Sequence, residues 1–219
     1  YNGYMKNDFS SLKELHEYYA VNNNCKLKNI ATQPVYEITP PSSGIVFIGE
    51  APGKNEDLQG KPFVGAAGKF LDQLLKGIGF TRNDVYVSNT VKYRPPENRD
   101  PTDLEKDSCR VWLNAELLFI QPKVIVPLGK HALARFVPDT AITVVHGNPY
   151  SHPSGIPIFP MYHPAAALYN PNLREVLQKD FEKLKEFLNK GGKLLENSIE
   201  DSSGFSKQSK QDIDELLKL

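Results

Sequence analysis

Residues 45–79 read IVFIGEAPGKNEDLQGKPFVGAAGKFLDQLLKGIG, and the pattern changes character twice along them. Ile45–Ile48 is a continuous apolar run ending at Gly49, the mark of a strand buried on both faces. Gly49–Gly65 is rich in glycine and charge and reads as a loop. From Ala67 the apolar residues Phe70, Leu71, Leu74, Leu75 and Ile78 recur at helical spacing, and Gly79 closes the helix.

The same alternation continues on either side. Val85–Ser88 is a second buried strand. Thr102 with Glu105 has capping-box spacing and opens a helix that can run towards Ile120 before Pro122 stops it. Val124–Leu128 is a third strand and Gly129–Phe136 a short helix. Ile142–Val145 and Ile156–Met161 read as further extended pieces, and Leu173–Leu188 as a long amphipathic helix. Upstream, Ser11 and Glu14 cap a helix carrying Leu12, Leu15 and Tyr18/Tyr19, and residues 22–44 read as irregular chain. Strands alternating with helices through short connections predict one α/β domain over residues 1–190, with helices on both faces of a mostly parallel sheet. From Gly191 the composition turns to linker, with a short apolar-spaced piece at Ile213, Leu216, Leu217 and Leu219. Residues 191–219 are therefore expected to be a linker and helical tail.

Composition narrows the function classes. Among 219 residues, 26 Lys+Arg balance 26 Asp+Glu, so nucleic acid can be held only by a local patch. No apolar run approaches a membrane span. Tyr1–Met5 lacks the features of a secretory signal, so a cytoplasmic protein without membrane contact is expected. The two cysteines, Cys25 and Cys109, make no disulfide framework, and no CxxC suggests zinc. No metal site is expected from these residues.

In parallel sheets, sites form beyond the carboxyl ends of the strands. Three loops fall there: Gly49–Gly65, Asn89–Pro101 and His163–Pro171. The glycines at 49 and 53 can present backbone N–H groups to an anion or carbonyl. A Walker A reading fails, because the spacing is one residue short and Asn55 stands in place of Ser/Thr. No GxGxxG follows the strand.

As longer strings the loops say more. GEAPGKNEDLQGKPFVGAAGKFL (49–71) resembles the first motif of the family 4 uracil-DNA glycosylases, the group that normally carries an iron–sulfur cluster. Asn89-Thr90-Val91-Lys92-Tyr93-Arg94-Pro95-Pro96, continuing to Asn98, Arg99 and Pro101, resembles the second. His163-Pro164-Ala165-Ala166-Ala167-Leu168-Tyr169-Asn170-Pro171 resembles the third. The likeness spans residues 25–188. It implies a three-layer α/β/α fold with a central, mostly parallel four-stranded sheet. It also implies a monomer that extrudes deoxyuridine from DNA and hydrolyses its N-glycosidic bond.

Residue by residue, the resemblance assigns Phe63 to stacking on the uracil face and Asn89 to reading its Watson–Crick edge. An amide offers one donor and one acceptor, complementary to uracil O4 and N3–H. It assigns Glu56 to the wall at C5 that excludes thymine's methyl group, while Asp57 is expected to hold the loop. It assigns His163 to hydrogen-bonding O2, where charge develops as the base departs. Ala51 stands where other branches of the superfamily place a carboxylate or Asn. Glu50 is then the nearest candidate for positioning water. Leu168 matches the wedge that fills the space left by the flipped base. Lys92, Arg94 and Arg99, with the Gly53 backbone, are expected to hold phosphates. His16, His131, His146 and His152 match no motif. A glycosylase of wider range acting on hypoxanthine, or a non-catalytic nucleic-acid-binding module on the same fold, are the alternatives.

At the family's cluster positions the chain departs. Cys25 and Cys109 match the first and fourth cluster cysteines, but the second falls on Lys28 and the third on Tyr93. Two thiolates cannot hold such a cluster, so no cofactor is expected. Tyr93 and the stem of Lys28 are expected to fill the vacated volume by packing.

Overall fold

β1 (Ile45–Gly49) is buried at all five positions and forms the middle of a parallel sheet. In this computed structural model, which describes residues 9–192, β2 (Tyr86–Asn89) lies on one side and β3 (Val124–Pro127) on the other. The pairing runs from Val46↔Tyr86 to Gly49↔Asn89 and from Ile45↔Val124 to Ile48↔Pro127. The fourth position is taken by the 156–161 segment. There Phe159 N–H donates to Ile125 O (2.8 Å) and Met161 N–H to Pro127 O (3.0 Å). Pro157 and Pro160 have no N–H to give, and this segment joins the β3 edge through isolated bridges at Ile125 and Leu128, with an antiparallel bridge to Tyr150 on its other side.

The period-two alternation of the strands divides two cores. Ile45, Phe47, Val87 and Val126 face α3 (Ala66–Gly77) and α8 (Asn172–Asn189), where Phe47 stacks on Phe181 with centroids 5.7 Å apart. Val46, Ile48, Tyr86 and Ile125 face the other way. They meet Leu12 of α1 (Leu12–Asn22), Leu113 of α4 (Asp103–Ile120) and Ala132 of α5 (Gly129–Ala134). The result is helix–sheet–helix layering. A third cluster, around Trp112, Cys25 and Cys109, packs α1 against α4.

Helix ends follow the sequence signals. Thr102 and Glu105 form a complete capping box, and α4 ends at Gln121, held in the left-handed region just before Pro122. Two shorter helices, α2 (Lys54–Gln59) and α7 (Ala166–Tyr169), sit in the first and third loops. One expectation fails: Ile142–Val145 is not extended but a single helical turn, α6, closed by His146 N–H to Ile142 O. The sheet edge beside β3 is already taken by residues 156–161, and Val144 is 76% exposed, so no strand partner awaits this β-branched run. The expected tail beyond Gly192 lies outside the described residues. Among those residues no helix is long and apolar enough to cross a membrane.

Candidate active site

The three loops converge beyond the carboxyl ends of β1 and β2 around a cavity of about 470 Å³. Its walls include Glu50, Phe63, Asn89 and His163.

Phe63 and Asn89 come together because Gly49, the last residue of β1, has no side chain. A Cβ there would lie 2.5 Å from Asn89 Oδ1 and 2.7 Å from Phe63 Cζ. Phe63 itself holds a left-handed backbone (φ 54°), a conformation that costs a non-glycine residue on the order of 1–3 kcal/mol. Arg82 Nη2 pins the turn by donating to Phe63 O at 3.0 Å. Asn89 is 2% exposed, and its Oδ1 is buried without a hydrogen-bond partner. An orphaned buried acceptor in a cavity wall is a vacancy for a ligand's donor.

His163 lines the same cavity and stacks on Phe63, ring centroids 5.4 Å apart. Gly129 gives it room, since a Cβ at 129 would meet His163 Cβ at 3.1 Å. Ala165 N–H donates to His163 Nδ1 (3.1 Å), so the proton of the neutral ring sits on Nε2. Burial pushes the imidazole down to about 4, against the opposing pull of Glu56. At neutral pH the ring is thus an uncharged donor of fixed tautomer.

Glu56 is held by its own loop: Oε1 accepts from Val64 N–H (2.9 Å) and Gly65 N–H (2.8 Å), which fixes the carboxylate in the wall. Asp57 is buried and accepts from Thr32 N–H and Oγ1, tying the loop to the preceding segment. Ala51 and Gly53 complete this side, and Gly53 is the N-cap of α2. Glu50 has one buried oxygen, Oε1, without a hydrogen bond. Burial, and secondarily the charge of Asp100, push its carboxyl up to about 7.

Tyr169, 89% exposed, lines the cavity, whereas its neighbour Leu168 on α7, 38% exposed, is not among the lining residues. Tyr169 was not singled out by the sequence reading; an aromatic beside the wedge position was its only signal. Arg94 Nε donates to Asn98 Oδ1 (2.7 Å). Arg99 is gripped by both oxygens of Glu105, at 2.8 and 2.7 Å, so part of its charge is spent inside the chain. Lys92 corrects the sequence reading outright. Its side chain is fully buried, and Nζ donates to Glu116 Oε2 (2.8 Å), Asn89 O (2.9 Å) and Ser88 Oγ (2.5 Å). All three donors are used inside the protein, so Lys92 meets no phosphate and instead anchors the backbone of Asn89.

The model of the uracil DNA glycosylase superfamily matches residues 36–191. The chain belongs to that superfamily. A relative from Sulfurisphaera tokodaii is 44% identical over 185 residues, covering 80% of this chain and 84% of its own. Another from Thermotoga maritima is 46% identical over 152 residues, covering 68% and 79%. A third, from Archaeoglobus fulgidus, is 44% identical over 175 residues, covering 76% and 87%. All three are named type-4 uracil-DNA glycosylases.

Within this superfamily the cluster positions can be tested for fit. Cys25 and Cys109 are buried, and Cys25 Sγ donates to Glu105 O (3.9 Å); the influence of each thiol on the other draws Cys25 down to about 6 and pushes Cys109 up. Tyr93 is 1% exposed, packs edge-on to Trp112 and donates to Ala20 O (3.4 Å). Burial raises its phenol further, so it stays neutral. Lys28 Nζ donates to Val21 O (2.8 Å). Two cysteine sulfurs, a phenol and a lysine do not fit a [4Fe–4S] cluster, which needs four thiolates.

Proposed function

We propose that the chain is a monofunctional uracil-DNA glycosylase. The observation that carries this reading is Asn89 Oδ1, buried and unpartnered in the wall of a cavity that Phe63 and His163 also line. Uracil supplies what that space lacks. Its N3–H answers Oδ1, its face stacks on Phe63, and its O2 accepts from His163. Glu56, clamped by two backbone N–H groups, fits the wall that leaves thymine's methyl group no room.

In the reaction, water attacks C1′ of the flipped nucleotide as the C1′–N1 bond breaks. The electron pair leaves with uracil, whose charge spreads to O2, where a neutral, preoriented donor acts mainly on the transition state. The proton lost by water goes to Glu50, whose raised basicity suits a general base near neutral pH. Leu168, with Tyr169 beside it, fits the role of filling the vacated stack.

The polar set lies within one chain, in keeping with a monomer acting on uracil-containing DNA. Two free thiols suit a reducing, cytoplasmic setting. The reading also includes activity without an iron–sulfur cluster, supported by the donor set at the four cluster positions. Purified protein should be colourless and hold well under one iron per chain; a brown, iron-loaded preparation after anaerobic purification would refute this part. The test of the activity is chromatographic detection of free base from oligonucleotides carrying U:G, U:A, single-stranded U, T:G or hypoxanthine. Uracil should appear, and thymine should not.

A further inference from the structure

We propose that His131 and Asp100 are positioning residues that, acting through Glu50, carry away the proton taken from the attacking water. This rests on the reading of Glu50 as the group that faces that water.

Glu50 directly follows β1, and its backbone is fixed by Val91 N–H (3.1 Å) and Thr90 Oγ1 (2.7 Å), which both donate to Glu50 O. Its side chain is held less directly. Oε1 is buried without a hydrogen bond, and His131 Nδ1 lies 3.5 Å from it. The other ring nitrogen, Nε2, lies 3.1 Å from Asp100 Oδ2. One imidazole therefore stands between two carboxylates, a nitrogen towards each. Asp100 is itself steadied by Arg99 Nη1, which donates to Asp100 O at 2.9 Å while Glu105 grips the same guanidinium. Glu50 and Asp100 both line the cavity with Asn89 and His163, whereas His131 stands behind them on α5.

The arrangement fixes direction. With its proton on Nε2, His131 donates to Asp100 and turns the lone pair of Nδ1 towards Glu50. When water attacks C1′, Glu50 takes the proton. His131 Nδ1 then takes it from Glu50, giving an imidazolium with an N–H towards each carboxylate. Asp100 Oδ2 accepts from the Nε2–H throughout. The proton leaves through the exposed side, where Asp100 is 68% and His131 26% exposed, against 22% for Glu50. No atom or electron is left unaccounted for, and Glu50 returns to its carboxylate form.

The surrounding charges suit a shared proton. Burial and Asp100 raise Glu50, while Lys106 and Lys130 oppose them. Burial lowers His131, with Lys130 and Lys106 acting the same way and Asp100 against. Glu50 is thus raised and His131 lowered, so the proton's stay on His131 is brief and its loss to solvent drives the transfer.

The test is single-turnover excision from a U:G duplex across pH for the parent and for His131→Ala, His131→Asn, Asp100→Asn and Glu50→Gln. Inhibition by free uracil is read alongside, to show that the pocket is intact. His131→Ala should slow the chemical step about tenfold or more with unchanged uracil inhibition. Its acid limb should move down, since Glu50 loses the Nδ1 acceptor that favours its protonated form. Asp100→Asn removes a charge that holds the proton on Glu50, so its limb should move down as well. His131→Asn can still offer Glu50 a hydrogen bond but takes no proton, so it should stay about as slow as His131→Ala. If Glu50→Gln is slow but both His131 variants match the parent in rate and pH profile, the relay is wrong and Glu50 stands. If Glu50→Gln is as fast as the parent, the reading of Glu50 fails and takes the relay with it. Loss of parent activity in chelator, restored by a divalent cation, would also overturn the relay, because the three side chains would then serve a metal.

Discussion

Replacing Lys92 by methionine separates a structural role from a phosphate-binding one. Lys92 and Glu116 both have fully buried side chains, and Glu116 Oε2 takes its charge-assisted bond from Lys92 Nζ at 2.8 Å. Burial already raises the Glu116 carboxyl, and Lys92 is the chief group lowering it. Removing one partner of such a pair leaves the other charge buried alone, at a cost of about 3–5 kcal/mol. In a domain of this size each kcal/mol moves Tm by roughly 2–4 °C, so the variant should melt roughly 6–20 °C lower. Lys92→Met with Glu116→Met should recover much of that loss, because neither charge is then stranded. The assay is urea and thermal unfolding of both variants, with DNA affinity measured across a salt series. The salt slope should not change, since no phosphate contact is lost. A stability loss under about 1 kcal/mol together with a slope reduced by about one would refute the reasoning and return Lys92 to the DNA track.

Further expectations concern the pocket. His163→Ala should lose about 10²–10³ in the chemical step while keeping the parent's unfolding midpoint, as expected for one donor at a developing oxyanion; a loss within tenfold would remove the role given to His163. Glu56→Ala should open the wall at C5 and allow measurable scission at T:G, and thymine left intact would show that another group excludes it. On pH, Glu50 is raised to about 7, so the rate should climb as pH rises through neutrality and level off above. In Glu50→Gln that limb should vanish, and the residual rate should hold until pH falls towards about 4, where His163 gains its charge. Leu168→Ala should slow excision from duplex more than from single strands, because only the duplex has a stack to refill; equal losses would remove the wedge.

The buried strands, the two capping helices and α8 were legible because apolar spacing and caps are local signals. The fourth strand was legible only in outline. Its prolines break the ladder, and β-branched Ile142–Val145 imitates a strand where no partner edge is free. Phe63, Asn89, Glu56 and His163 were identified through motif resemblance, and they do meet at one cavity. Lys92 was misread for a physical reason: a lysine in a basic segment looks like a phosphate ligand until Glu116, 24 residues on, is seen beneath it. His131 carried no signal at all, since its carboxylate partners come from two other loops. Tyr169 was hidden by the wedge position next to it.

The most direct measurement of the central claim is alkaline strand scission after incubation with one oligonucleotide holding a single uracil among the four normal bases, run for the parent and for Asn89→Ala. The parent should cut at the uracil alone, and Asn89→Ala should lose orders of magnitude while remaining folded. An intact strand with the parent enzyme, or cutting by Asn89→Ala within tenfold of the parent, would contradict the account.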